Sequence, residues 1–201
     1  MKKSYLIALI SVCVIGFAAL PAAQADLITF TTDTTGGKPN GWISAESALV
    51  SFTDSNGTGL NVQDFGVQSI GKGLEVQTDN DSSILIMNFT QKMQSINMDF
   101  GNDDPAWITA GNAVLTLFDG ATQVGQVLVA MNLNDIMDQT IAYSGSYFDK
   151  ATLEYQVSRI SDSGGLIEVV DNIEITAAPE PTTLLLLGLG VLGLAGIRKR
   201  D

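Results

Sequence analysis

Asp103 and Asp104, beside Pro105 and Trp107, form the densest chemical cluster in the sequence. Paired carboxylates can do acid–base work on a glycosidic bond when they face each other across about 5 to 9.5 Å. A tryptophan face can stack on the sugar. Trp42, which follows Pro39-Asn40-Gly41, and Tyr147 are the other candidate stacking platforms. Neighbouring residues on a strand point to opposite faces, so Asp103 and Asp104 could cooperate only from a loop. Their composition reads first as a solvated acidic turn.

Two further patterns place hard oxygen ligands at alternate positions, as in the first half of a calcium loop. They are Asp54-x-Asn56-x-Thr58 and Asp79-x-Asp81-x-Ser83. A full helix–loop–helix calcium site also needs Gly at the sixth and Glu at the twelfth position. Those places hold Gly59 and Phe65 in the first case, and Ile84 and Thr90 in the second. Both read better as turns in which Asp caps its own backbone.

The chain has no histidine, and its one cysteine, Cys13, lies in the amino-terminal apolar run. Ser-His-Asp and Cys-His catalysis, histidine metal sites and zinc–thiolate sites are therefore excluded beyond that run. No enzyme is expected; a carboxylate-based glycan-active enzyme is the third choice of function. Between residues 26 and 174 there are 20 acidic residues and five basic ones, an excess of 15 negative charges. Such a surface repels nucleic acid and keeps an exported protein soluble.

The elements that must position these residues repeat every two residues. Ser95-Ile96-Asn97-Met98-Asp99-Phe100 alternates polar and apolar, as do Thr152-Leu153-Glu154-Tyr155-Gln156-Val157 and Asn172-Ile173-Glu174-Ile175-Thr176. This is the pattern of strands with one buried face. Other strands are expected over 27–32, 48–53, 74–78, 83–89, 113–118, 123–130, 139–143 and 166–170. Gly, Asn, Asp and Ser clusters separate them. Residues 131–140 could hold one helical turn. The expected fold is an all-β antiparallel sandwich, jelly-roll-like first and immunoglobulin-like second.

Both ends differ from this middle. Lys2 and Lys3 precede an apolar run broken by Pro21, and Ala23-Gln24-Ala25 fits the small-x-small cleavage rule. Residues 1–25 read as a signal peptide with a helical apolar segment, leaving an ectodomain over 26–178. At the other end Pro179-Glu180-Pro181 precedes an uncharged run over 184–197, then Arg198-Lys199-Arg200. A helix over 184–197 is roughly 21 Å long, short of the ~30 Å hydrocarbon core. Thr182, Thr183 and snorkelling cations extend it, so a single membrane helix is expected over about 182–197. The cations should hold that end in the cytoplasm.

In order and spacing, residues 179–201 resemble the carboxy-terminal tail of PEP-CTERM proteins. That resemblance implies a precursor held in the inner membrane, then cut near Pro179-Glu180-Pro181 by exosortase. Signal peptidase would act at the other end, and the product would go to the cell surface or extracellular polymer. Val169-Val170-Asp171-Asn172-Ile173-Glu174-Ile175 resembles the last strand of jelly-roll carbohydrate-binding modules. It implies Asp171 as a ligand of a structural Ca²⁺, with acidic turn residues. A structural or adhesive matrix role is expected first. A module recognising extracellular polysaccharide, with Trp42, Trp107 and Tyr147 as platforms, comes second.

Overall fold

The computed structural model describes residues 25–57, 59–66, 71–76, 83–101, 108–134, 136–159 and 168–179. The leader with Ala23, the cluster Asp103 to Trp107, and Asp79 and Asp81 lie outside the described residues. So do Glu180, Pro181, the expected membrane helix over 182–197 and the terminal cations Arg198, Lys199 and Arg200.

The described residues form strands and no helix. The strands are β1 (Ala25–Ile28), β2 (Gly36–Lys38), β3 (Val50–Asp54), β4 (Leu60–Asp64), β5 (Lys72–Val76), β6 (Leu85–Gly101), β7 (Ile108–Asp119), β8 (Thr122–Ala130), β9 (Gln139–Arg159) and β10 (Val169–Ala177). Every pairing is antiparallel. The order is β2-β4-β5-β10-β6-β9-β7-β8, with β1 added to β10 and β3 to β6. This is the all-β antiparallel class expected from the period-two pattern.

The long strands turn this one ladder into two layers. The first part of β6 pairs with β3 and with β9 near 150–153; the second part pairs with β10 and with β9 near 139–144. Register shifts after Asn88 and after Met93 mark the bend, as bulges do when they turn a strand. Phe30, Phe52, Phe100 and Phe148 are fully buried among Ile, Leu, Val and Met side chains. That face is covered by the other half of the sheet and by residues between strands, among them Trp42, Leu49 and Leu133. Aromatic rings pack at the bend of β6 and β9: Phe89 and Phe148 meet edge to face at 5.5 Å, and Tyr143 and Phe148 at 5.9 Å. Gly125 is required where Tyr143 crosses β8, because a Cβ there would lie 2.4 Å from the ring.

Several sequence expectations change. The segments 83–89 and 95–100 are one bent strand, as are 139–143 and 152–157. Polar Thr90-Gln91-Lys92 reads as a break, yet the backbone stays extended and Met93 returns to the core. β2 and β4 are not expected from the sequence: β4 buries only Leu60 and Val62, too few apolar residues to stand out. No helical turn forms over the described part of 131–140. Asn132 and Asn134 instead donate their amides to Asp138 at 2.8 and 2.9 Å, and Leu133 is left-handed at φ 58°. These donors hold the Asp138 carboxyl below its ordinary range.

Candidate functional site

The most chemically distinctive place in the described fold is where β10 crosses β6. Val170 pairs with Phe100 and Asp171 with Asp99. Val170 and Phe100 point into the core, so alternation places Asp171 and Asp99 together on the opposite face of the sheet, which is covered at Asp171. An extra residue between Asp171 and Glu174 bulges β10 at this point. Asn172 occupies the bulge at φ 47°, a left-handed conformation that Asn tolerates better than most residues.

Asn172 stitches the two strands together. Its amide Nδ2 donates to Asp99 Oδ2 at 2.9 Å, and its backbone N–H donates to Asp171 Oδ1 at 2.7 Å. Thr140 on β9 donates its hydroxyl to Asp99 Oδ1 at 3.0 Å. Asp171 is 2% exposed. Burial raises its pKa to about 7; the Asn172 N–H opposes the rise, while the charges of Asp99 and Glu46 reinforce it. Asp171 is therefore a carboxyl that exchanges its proton near neutrality.

Glu46 shows the opposite outcome. Thr29 and Thr32 donate backbone N–H groups to it at 2.5 and 2.8 Å, and the hydroxyls of Thr29, Thr31 and Thr32 also donate. Burial pulls its pKa upward, but the Thr32 and Thr29 backbone bonds and the Thr32 and Thr31 hydroxyls outweigh it and lower the value to about 2. Glu46 thus stays ionised at neutral pH and clamps the chain just after β1. A third carboxylate on the same sheet, Glu75, accepts Asn61 Nδ2 at 2.5 Å and Gln63 Nε2 at 3.0 Å.

The carboxylates here are engaged within the fold. Ca²⁺ takes six to eight oxygen ligands. Among the described residues, no three His, Cys, Asp or Glu are placed to hold a metal. Both oxygens of Asp99 and of Glu46 already accept hydrogen bonds.

Of the aromatic candidates, Trp42 and Tyr147 are among the described residues. Trp42 bridges to Phe52 by backbone bonds: Phe52 N–H donates to Trp42 O, and Gly41 N–H to Phe52 O, both at 2.8 Å. Its ring lies 6.3 Å from Phe30 and 6.0 Å from Phe52, with the Lys38 ammonium 5.5 Å from its centroid. Trp42 is half-buried and packs on the core at one end of the sandwich. Tyr147 lies in β9 and is 49% exposed.

Asp54-x-Asn56 is a turn cap. Asp54 Oδ1 accepts the Asn56 N–H at 2.9 Å, Oδ2 accepts the Gly59 N–H at 3.1 Å, and the Ser83 hydroxyl also donates to Oδ1.

Sequence reasoning singles out Asp171 but not its surroundings. Asp99 stands in the sequence only as a polar position in an alternating strand. Glu46 meets its threonines across 14 to 17 residues, a separation with no local signature. The one available hint is the hydroxyl-rich run Thr29 to Thr32, interrupted only by Phe30.

No curated protein matches the sequence. Among solved structures, the CBM22-1 xylan-binding domain from Paenibacillus barcinonensis aligns with 9% identity and a TM-score of 0.44, covering 80% of this chain and 100% of that one. A DUF4465 family protein from Bacteroides caccae aligns with 13% identity and a TM-score of 0.43, covering 77% and 100%. A family 32 carbohydrate-binding module from C. perfringens, in complex with galactose, gives 13% identity and a TM-score of 0.35, covering 76% and 99%. These scores describe a loosely similar chain path and assign no ligand to this chain. Residues 177–200 match the PEP-CTERM protein-sorting motif, which marks an exported protein that exosortase directs to the cell surface.

Proposed function

We propose that the chain is an exported, exosortase-processed surface or matrix protein whose β-sandwich ectodomain has a structural or adhesive role and no catalytic one. The sorting motif over 177–200 carries this reading. Residues 1–25 act as a cleaved signal peptide, with Ala23 and Ala25 flanking the site of signal peptidase. Residues 182–197 hold the precursor in the inner membrane, with Arg198, Lys199 and Arg200 on its cytoplasmic side. Exosortase then recognises Pro179-Glu180-Pro181. The non-catalytic reading is supported by the lack of histidine and of any cysteine beyond Cys13. It is also supported by how fully the carboxylates Asp54, Glu46 and Asp99 are engaged within the fold.

In an exosortase-containing host, the Glu180→Ala protein is expected to accumulate as an uncut membrane form. Deletion of residues 184–201 should instead give a protein secreted without anchorage. Wild-type maturation of Glu180→Ala would refute the assignment.

Carbohydrate binding is the competing role, and the aromatic geometry argues against it at Trp42. That ring is already occupied by Phe30, Phe52 and Lys38, whereas a sugar platform needs a free face. In pull-downs on soluble and insoluble polysaccharides, the expected result is no retention above a bovine albumin control. Retention lost in Trp42→Ala, Trp107→Ala or Tyr147→Ala would replace the structural role with a binding module.

A further inference from the structure

The sequence contains two Asn-Gly pairs, Asn40-Gly41 and Asn56-Gly57, and the fold treats them in opposite ways. In such a pair the glycine nitrogen can attack the preceding side-chain amide, because no Cβ obstructs its approach. At Asn40 both reacting groups are held. The Asn40 side chain accepts from Asp54 N–H at 2.7 Å and donates to Asp54 O at 3.1 Å. Gly41 N–H, the nucleophile of that pair, donates to Phe52 O at 2.8 Å and to Thr53 Oγ1 at 3.1 Å. At Asn56 the same groups are open. Asn56 and Gly57 are both exposed. Among the described residues, no hydrogen bond engages the Asn56 side-chain amide; only its backbone N–H is bonded, to Asp54. Gly57 N–H makes one long bond, 3.3 Å to Asp54 O. Nothing lies within 4 Å of the place a Gly57 Cβ would take.

We propose that Asn56-Gly57 is a self-modification site, at which the folded protein converts Asn56 to aspartate and isoaspartate with water as the only co-reactant. Gly57 N loses its proton to hydroxide and forms a bond to Asn56 Cγ. The Cγ–Nδ2 bond breaks, and the side-chain nitrogen leaves as ammonia, taking a proton from water and restoring the hydroxide. A succinimide ring remains. Water then opens it at Cγ, giving aspartate, or at the main-chain carbonyl carbon, giving isoaspartate. No oxidant or reductant takes part. The site stands whether or not the chain is sorted by exosortase.

Isoaspartate changes the loop in a way that aspartate does not. It routes the backbone through Cβ and so adds one methylene between residue 56 and Gly57. That length enters a loop held by the two oxygens of Asp54, through the Asn56 N–H at 2.9 Å and the Gly59 N–H at 3.1 Å. With the longer path the carboxylate keeps the first donor and loses the second. The corner between β3 and β4 therefore loosens as the protein ages. Asn40 braces the same corner and keeps its identity, because four hydrogen bonds must open before it can react. The fold thus protects the asparagine it uses and exposes the one it does not.

The test is peptide mapping of the full-length protein, extracted in detergent and held at pH 8, either folded or in guanidinium chloride. Cleavage after Glu46 puts Asn40 and Asn56 in separate peptides. Fragmentation locates the exchange of NH₂ for OH and tells isoaspartate from aspartate. In the folded protein Asn56 is expected to convert about a hundred-fold faster than Asn40, whose bonds must open first. In guanidinium the two rates should agree to within about two-fold, because neither pair keeps its partners. The aged, folded fraction should unfold at a lower denaturant midpoint than fresh Asn56→Asp protein, which carries the new charge without the longer backbone. A folded rate ratio below about ten, no conversion at folded Asn56, or an aged midpoint equal to that of Asn56→Asp would overturn the proposal.

Discussion

At pH 8 the Asp171→Asn protein is expected to be more stable than wild type by about 2 kcal/mol, and at pH 4 nearly equal to it. The cause is the carboxyl buried against Asp99, whose pKa is raised from 3.8 to about 7. A group whose pKa rises on folding contributes stability that is complete below its unfolded value and is lost as pH rises through its folded value. The loss therefore falls between about pH 4 and pH 7. A tenfold change in proton affinity is worth about 1.4 kcal/mol. The whole rise bounds the effect at about 4 kcal/mol, and local hydration and relaxation reduce it to about 2 kcal/mol. Thermal melts from pH 4 to pH 8 should show the variant's advantage growing with pH, to about 6 °C for a domain of this size. A wild-type melt that improves from pH 5 to pH 8 relative to the variant would have the wrong sign. Glu46 sets the acid limit: its contribution is complete above 4.5 and is lost as pH falls towards 2. The same melts test calcium. If Asp171 ligates Ca²⁺, the ion should remove the wild-type penalty at pH 8, whereas Mg²⁺ and NaCl at matched ionic strength should not. Asp171→Asn should abolish that difference.

Asp54→Ala should cost about 3 kcal/mol, measured by denaturant unfolding. The Asp54 carboxylate is 1% exposed and caps the loop between β3 and β4 through Asn56 and Gly59. It also accepts from Ser83, which leads into β6. The substitution strands several buried donors at once, each worth about 1 to 3 kcal/mol when left unsatisfied. Asn40 supports the same corner from the other side, accepting from Asp54 N at 2.7 Å and donating to Asp54 O at 3.1 Å. A loss below about 1 kcal/mol would show that water replaces the carboxylate and that the cap is dispensable.

The all-β class was legible because alternation is local: Ile96, Met98 and Phe100 define a buried face without reference to any other strand. Strand length was not legible. Thr90-Gln91-Lys92 breaks the apolar pattern, but the backbone runs on, with Lys92 held between Asp119 at the end of β7 and Asp149 in β9, both distant along the chain. The site was half legible. Asp171 stood out by its place in the final strand, but its raised pKa is reinforced by Asp99 and Glu46, 72 and 125 residues earlier. Only the register of β6 against β10, and the path of the chain after β1, bring those charges near. The calcium-like spacing at Asp54 shows the converse. Oxygen ligands at alternate positions serve a backbone turn as well as an ion, and the donors at Asn56 and Gly59 decide between them.

The way the chain leaves the sandwich has a mechanical consequence. Ala177 is the last residue of β10, and the N–H of Ala178 still donates to Lys92 O at 2.8 Å. No slack separates the fold from Pro179. β10 is an interior strand, with β6 on one side and β5 and then β1 on the other. Its hydrogen bonds run across the strand, so tension applied at its end pulls along β10 and perpendicular to them. The bonds to both neighbours must then slide together, instead of opening one after another as on a peeled edge strand. A pull applied at Pro179 would therefore load the domain in shear, the direction in which a sheet yields least readily.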